Sequence, residues 1–227
     1  MSSWILLAAL GAVAAIDSAA LFQGMLHQPL VICTILGSAL GLPIEGAYFG
    51  ALLQLLWLKR LPVGVSIYPD IGPVAVGSAG GALIAFESGL MDMGIAGIAV
   101  LLTTIIFVRM GGRLMVLQRE AQGGFIPRVE DAIKAGRPGR IRLMLLEGIA
   151  MSATRGIIMS VAAAGFLLLL LTGLRALPLE NVIQPYTLLA GVLGLGVGSV
   201  LELFDRRELL PWVAVGVVVG VITMVMI

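Results

Sequence analysis

The stretch FQGMLHQPLVICTILGSALGLPIEG, residues 22–46, decides the architecture. It is apolar enough for lipid, yet it carries the single histidine of the chain, His27, passes the single cysteine, Cys33, and breaks at Gly41-Leu42-Pro43. A second apolar run follows, with Glu45 before it and Gln54 in its middle. A helix needs roughly 20 residues to cross the core of a bilayer. The runs 30–42 and 46–58 are each well short of that. They read as a hairpin that enters the membrane and returns, or as a helix broken at midplane. Two short helices of a packed bundle is the plainer alternative. Irregular backbone at membrane depth is tolerated only where protein or water satisfies its polar groups. Short segments interrupted by Gly and Pro therefore point towards a binding site.

Composition agrees with lipid as the solvent. Of 227 residues, 59% are hydrophobic and 12% charged, with a mean hydropathy of +1.09. A soluble domain carries about 25% charged residues. The long runs do not alternate, which argues against a β-barrel. The expected fold is an all-α, polytopic helical bundle forming one integral membrane domain over residues 1–227. Its candidate segments are 4–22, 30–42, 46–58, 71–86, 93–108, 146–172, 187–204 and 211–227. The first run lacks a basic leader, so no separate signal peptide is expected. One cysteine and one histidine exclude an internal disulfide and a Cys/His metal cluster. No cofactor is expected, and no nucleic-acid signature is present.

Residues 109–145 are expected to form a basic cytoplasmic loop between an N-terminal group of segments (1–108, with the hairpin at 30–58) and a C-terminal group (146–227). Eight of the fourteen basic residues lie there (Arg109, Arg113, Arg119, Arg128, Lys134, Arg137, Arg140 and Arg142) against three acidic ones, a net of +5, and the rest of the chain carries −4. By the positive-inside rule such a loop faces the cytoplasm. Gly111-Gly112 and Gly123-Gly124 divide it, and RLMVLQREA (113–121) between them suits an amphipathic helix on the membrane surface. The glycine-rich runs GSAGGALIAF (77–86) and GVLGLGVGSV (191–200) suit close helix packing.

An ionisable or strongly polar group inside a membrane segment is costly and marks a candidate site. Asp17, Gln23, His27, Gln54 and Asp70 form the candidate set. Each is a hydrogen-bonding side chain among small apolar residues, with no positive clamp in the set. Such a set suits a neutral polyhydroxylated ligand, with Trp57 or Tyr68 offering a ring face. A phosphate or carboxylate ligand calls for Arg or Lys, and Lys59-Arg60 sit at what looks like a segment end. Each polar group alone is also explained by an interhelical hydrogen bond or a cap; Asp17 suits the cap of a helix beginning at Ser18. Glu147 and Arg155, in one segment, suit a mutual pair.

The succession LHQPLVICTILGSALG (26–41), EGAYFGALLQLLWL (45–58) and PVGVSIYPD (62–70) resembles the membrane subunit IIC of the mannose–fructose–sorbose class of phosphotransferase sugar transporters. The resemblance is dense over 17–72 and looser beyond. It implies an elevator-like carrier with re-entrant hairpins in the bacterial inner membrane. It implies a second membrane subunit, IID, in an assembly of the trimer-of-heterodimers type. The sugar is then phosphorylated by a soluble IIB protein charged through IIA, so His27 is not the phosphorylated histidine. The family pattern turns Gln54 and Asp70 towards the sugar, with His27, Gln23 and Asp17 nearby. The chain departs from it at Gln54, where many members carry glutamate, and at Pro62, near a common asparagine.

Three functions are weighed on this basis. The first is sugar translocation driven by phosphorylation, with no catalysis in this chain. The second is a scaffold or sensor that keeps the fold without transport. The third, a membrane enzyme, lacks support: GSAG (77–80) and YPDIG (68–72) do not match intramembrane protease motifs.

Overall fold

The computed structural model describes residues 2–21, 23–57, 70–89, 92–174 and 184–204, with Pro211 and Val215. Lys59, Arg60, Pro62 and Tyr68 lie outside the described residues, as does the expected segment 211–227 apart from those two positions. The described elements are all helical, as expected: α1 (Ser3–Ala19), α2 (Pro29–Ala39), α3 (Pro43–Leu56), α4 (Ile71–Glu87), α5 (Met93–Gly123), α6 (Phe125–Lys134), α7 (Pro138–Leu174) and α8 (Pro185–Phe204).

The break in the opening stretch has a simple cause. Gly41 adopts φ +79°, a left-handed conformation that costs a residue without Cβ little. With it, the Leu42 N–H donates to Gly37 O at 2.8 Å and the Gly41 N–H to Ser38 O at 3.3 Å. This pair of bonds closes α2 as a Schellman motif. Pro43 then opens α3, where the missing N–H is not needed. Glu45 falls in the first turn of α3, where the helix dipole favours a carboxylate. The arms are 11 and 14 residues long, or about 17 and 21 Å. They lie nearly backbone to backbone. A Cβ on Gly46 would come within 2.8 Å of Gly37 Cα, and one on Gly50 within 2.8 Å of Pro29 O. Ile32, Leu36, Phe49, Leu52 and Leu53 fill the hairpin's share of the core.

Helix α4 is the centre of the bundle, and most of its side chains are buried. Its small residues admit close neighbours. A Cβ on Gly77 would meet Ser160 O of α7, one on Gly80 would meet Leu7 of α1, and one on Gly81 would lie 3.0 Å from Ala164 O. Helices α1 and α7 touch at Gly11 and Gly156, and Ser160 Oγ donates to Leu7 O at 3.2 Å. The close packing expected of 77–86 is therefore present. The run in α8 differs: a Cβ at Gly191 or Gly194 would meet nothing.

The expected loop 109–145 is instead largely helical. Helix α5 continues through Gly111-Gly112 and through RLMVLQREA, so that stretch is not a separate surface helix. The reason is tertiary. A Cβ on Gly111 would lie 3.2 Å from Asp70 Cβ and 3.3 Å from Met159 Cε, so glycine makes room for a packed neighbour. That contact outweighs the roughly 1 kcal/mol helix cost of one glycine. The chain does turn at the second pair, Gly123-Gly124, and again at Gly136, φ +61°, where the Arg137 N–H donates to Ala132 O at 2.9 Å. Phe125, Val129 and Ala132 turn one face of α6 inwards, while Ile126 and Ile133 stay exposed. Helices α5 and α7 are long and apolar enough to cross a membrane. At 31 and 37 residues they measure about 46 and 55 Å, against a hydrocarbon core of about 30 Å.

Candidate functional site

Two polar clusters meet the N-terminal turn of α4 from different sides. The first grows from the end of α1. Asp17 lies inside that helix, 1% exposed, and does not cap a helix starting at Ser18. Its carboxylate instead gathers the chain that leads to α2. Oδ1 accepts from the Gly24 N–H at 2.7 Å, and Oδ2 accepts from the His27 N–H at 3.0 Å. Oδ2 also lies 2.7 Å from His27 Nδ1. An ionised carboxylate accepts only, so in this contact the histidine donates from Nδ1. The turn includes Gln23 at φ +47° and Met25 at φ +62°. Left-handed conformations of such residues cost on the order of 1–3 kcal/mol each and persist where surroundings over-determine them. The three bonds to Asp17 do that here. His27 then rests against α4: a Cβ on Gly72 would lie 2.9 Å from both His27 Cβ and His27 O.

The second cluster forms at Asp70, the residue that precedes α4 and is 1% exposed. An aspartate in this position ordinarily caps the helix. Here it makes no cap and forms an ion pair with Arg155 Nη1 of α7, itself 5% exposed. The guanidinium is held in turn: its Nε donates to Gln118 Oε1 at 2.8 Å, and Gln118 Nε2 donates to Ser152 Oγ at 2.8 Å. Ser152 Oγ donates to Gly148 O at 3.2 Å. Apart from that ion pair, neither oxygen of Asp70 and neither terminal nitrogen of Arg155 has a hydrogen-bond partner among the described residues. Two expectations are corrected by this geometry. Arg155 does not pair with Glu147, because eight residues of helix separate them by about 12 Å. One member of the candidate set, Asp70, also does have a cation beside it, supplied by α7.

The remaining candidates are distributed differently. Gln54 occupies the last turn of α3, with a buried Oε1 that has no hydrogen-bond partner. Trp57, just beyond, packs both against the main core and against the cluster of Ile71, Val74, Phe107, Val108 and Met159. The end of α3 therefore lies against the start of α4. Gln23 is exposed on the turn after α1. The fold thus brings Asp17 and His27 together, sets Asp70 across Gly72 from them, and leaves Gln23 on the surface.

Sequence reasoning missed Arg155, Gln118 and Ser152 as members of this region. One signal was available: an arginine within an apolar membrane helix requires an anionic partner, and Asp17 and Asp70 are the aspartates beside apolar runs. A separate open cavity of about 620 Å3 lies between α5, α6 and α7, with Gln118, Phe125, Glu147, Thr154 and Arg155 among its lining residues. None of the five candidate residues lines it. Chemically, the α4 region offers carboxylate and amide acceptors, an imidazole and the Arg155 guanidinium. These are groups that hold hydroxyls by hydrogen bonds.

Comparison with known proteins places this geometry in a family. The chain is 31% identical over 161 residues to the fructose permease IIC component of Bacillus subtilis (strain 168), an alignment covering 70% of this chain and 56% of that protein. The chain thus spans little more than half the length of this curated relative. A solved membrane protein superimposes with a TM-score of 0.68 at 23% identity, covering 99% of this chain and 92% of the other. The mannose transporter ManYZ in complex with microcin E492 (MceA) gives 0.60 at 22% identity with the same coverage. At these identities the likeness is one of fold, that of a helical membrane protein. The model of the PTS system sorbose-specific IIC component matches residues 1–227, and the chain belongs to that family.

Proposed function

We propose that this chain is the sugar-translocating IIC subunit of a phosphoenolpyruvate-dependent phosphotransferase system in a bacterial inner membrane. It binds a hexose or amino sugar, works with a IID membrane partner, and delivers the sugar to a soluble IIB protein charged through IIA. The observation that supports the reading is a half-length hairpin whose end, at Trp57, lies against the start of α4, where His27, paired with Asp17, and the buried Asp70 also stand. Broken helices with polar side chains at membrane depth are the structural mark of a transporter site. A fructose permease component and a mannose transporter among its likenesses support the sugar class. In the conformation described, Asp70 is sealed from solvent. Access then requires the hairpin to move relative to α4, an elevator-like step in which sugar binding favours one position. Phosphorylation in the cytoplasm gives the movement its direction.

Sugar-dependent thermal stabilisation of the chain, co-purified with a IID-type subunit, tests this reading. At least one of mannose, fructose, sorbose and glucosamine raises the unfolding midpoint, and Gln54→Ala weakens the shift. No shift with any of them removes the binding assignment. Gln54, an amide where many family members carry a carboxylate, favours a second reading, a scaffold that retains the fold without transport. Partner assembly without any sugar response supports that one.

A further inference from the structure

We infer that Arg155 is a positioning residue for the sugar site: it takes Oδ2 of Asp70 and so fixes Oδ1 as the atom offered to substrate hydroxyls. The inference rests on the transport reading above. It starts from an asymmetry in one carboxylate. Oδ2 is the oxygen that meets Nη1 of Arg155 in the ion pair, while Oδ1 is left out of it, and neither oxygen has any other partner among the described residues. An aspartate before a helix would otherwise turn its side chain onto the first free N–H groups of that helix. Arg155 diverts it, since Asp70 makes no cap.

The guanidinium can orient a carboxylate only if it is itself held. Gln118 accepts from Nε at 2.8 Å and is fixed by Ser152, so the planar fork has one orientation about its own axis. The space around the pair is closed. A Cβ on Gly111 would crowd Asp70 Cβ at 3.2 Å and Met159 Cε at 3.3 Å, so no wider residue leaves the carboxylate where it stands. A buried charge without a partner is strongly unfavourable. Arg155 thus makes an ionised acceptor compatible with this depth and leaves two lone pairs of Oδ1 for a hydroxyl-rich guest. The guest reaches them when the segment ending at Trp57 moves off the start of α4.

A purely structural ion pair predicts something different, and a double substitution separates the two. Equilibrium binding of radiolabelled mannose, fructose, sorbose and glucosamine is measured in vesicles from cells co-expressing the chain with a IID-type subunit, alongside the unfolding midpoint. Arg155→Lys keeps a cation but not the fork that Gln118 holds, so it keeps most of the midpoint yet binds sugar about threefold or more weakly, and Arg155→Gln loses about tenfold or more. Asp70→Asn combined with Arg155→Gln leaves no unpaired charge. It recovers most of the parent's midpoint yet remains about tenfold weaker for sugar. If the double variant recovers midpoint and affinity together, or a folded Arg155→Gln binds as the parent does, the positioning role is overturned. Should Arg155→Gln not fold, the lysine and double variants decide. A parent that binds none of the four sugars overturns the transport reading itself, a result distinct from a binding parent with an equally tight double variant.

Discussion

Asp70 and Arg155 are 85 positions apart in sequence and form a buried ion pair at the foot of α4. The pair ties three helices, because Gln118 of α5 holds the arginine that α7 contributes. Removing one partner leaves the other charge stranded. Asp70→Ala is expected to destabilise the fold by about 3–5 kcal/mol. Gln118→Leu removes one hydrogen bond to a charged group and costs about 1.5–3 kcal/mol. Thermal unfolding in detergent orders the two; a milder loss for Asp70→Ala than for Gln118→Leu contradicts the arrangement described.

The hairpin depends on glycine for proximity. Gly46→Leu places a branched side chain where Gly37 and Cys33 O already lie. Overpacking of this kind costs about 1–3 kcal/mol, and here it also prises α3 from α2. A cysteine pair reporting on the two arms, crosslinked in the parent, is expected to lose its crosslink in Gly46→Leu. Unchanged crosslinking with an unchanged midpoint argues against backbone contact between the arms.

At Gly41 the space is open and only the backbone is demanding, since no atom lies within 4 Å of a Cβ there. Gly41→Ala is therefore expected to cost about 1 kcal/mol through its φ of +79°, and Gly41→Asn less, because asparagine tolerates the left-handed region. Equal midpoints for alanine and asparagine variants refute the assignment of strain.

Asp17 organises a turn rather than a helix start. Asp17→Ala leaves the Gly24 and His27 N–H groups without their acceptor, at about 1–3 kcal/mol. It also frees Gln23 and Met25 to leave positive φ. Faster amide hydrogen exchange confined to residues 20–28 is the expected signature. Exchange spread evenly over α1 and α2 points instead to loss of the whole helix pair.

The hairpin was legible because its stop and start use local chemistry: Gly41 ends α2 and Pro43 begins α3 within three residues. Asp17 and His27 were legible as polar intruders in an apolar run. Their mutual contact depends on a turn with two strained residues, which no composition signals. The Asp70–Arg155 pair was hidden because hydropathy treats each charge by itself, and the nearer Glu147 drew the arginine on paper. The extent of α5 and α7 was misjudged for a related reason. Hydropathy marks where lipid ends, and helices do not have to end there. Gly111 looked like a breaker because its packing partners lie just before α4 and in α7, beyond any local window.

That extension has a consequence for how the protein presents charge. All eight basic residues between positions 109 and 145 are exposed, and seven of them stand on α5, α6 or α7, with Arg137 in the short turn between the last two. Such a mast keeps its cations at set distances and set angles to one another. Ionic strength can dim its field but cannot rearrange it.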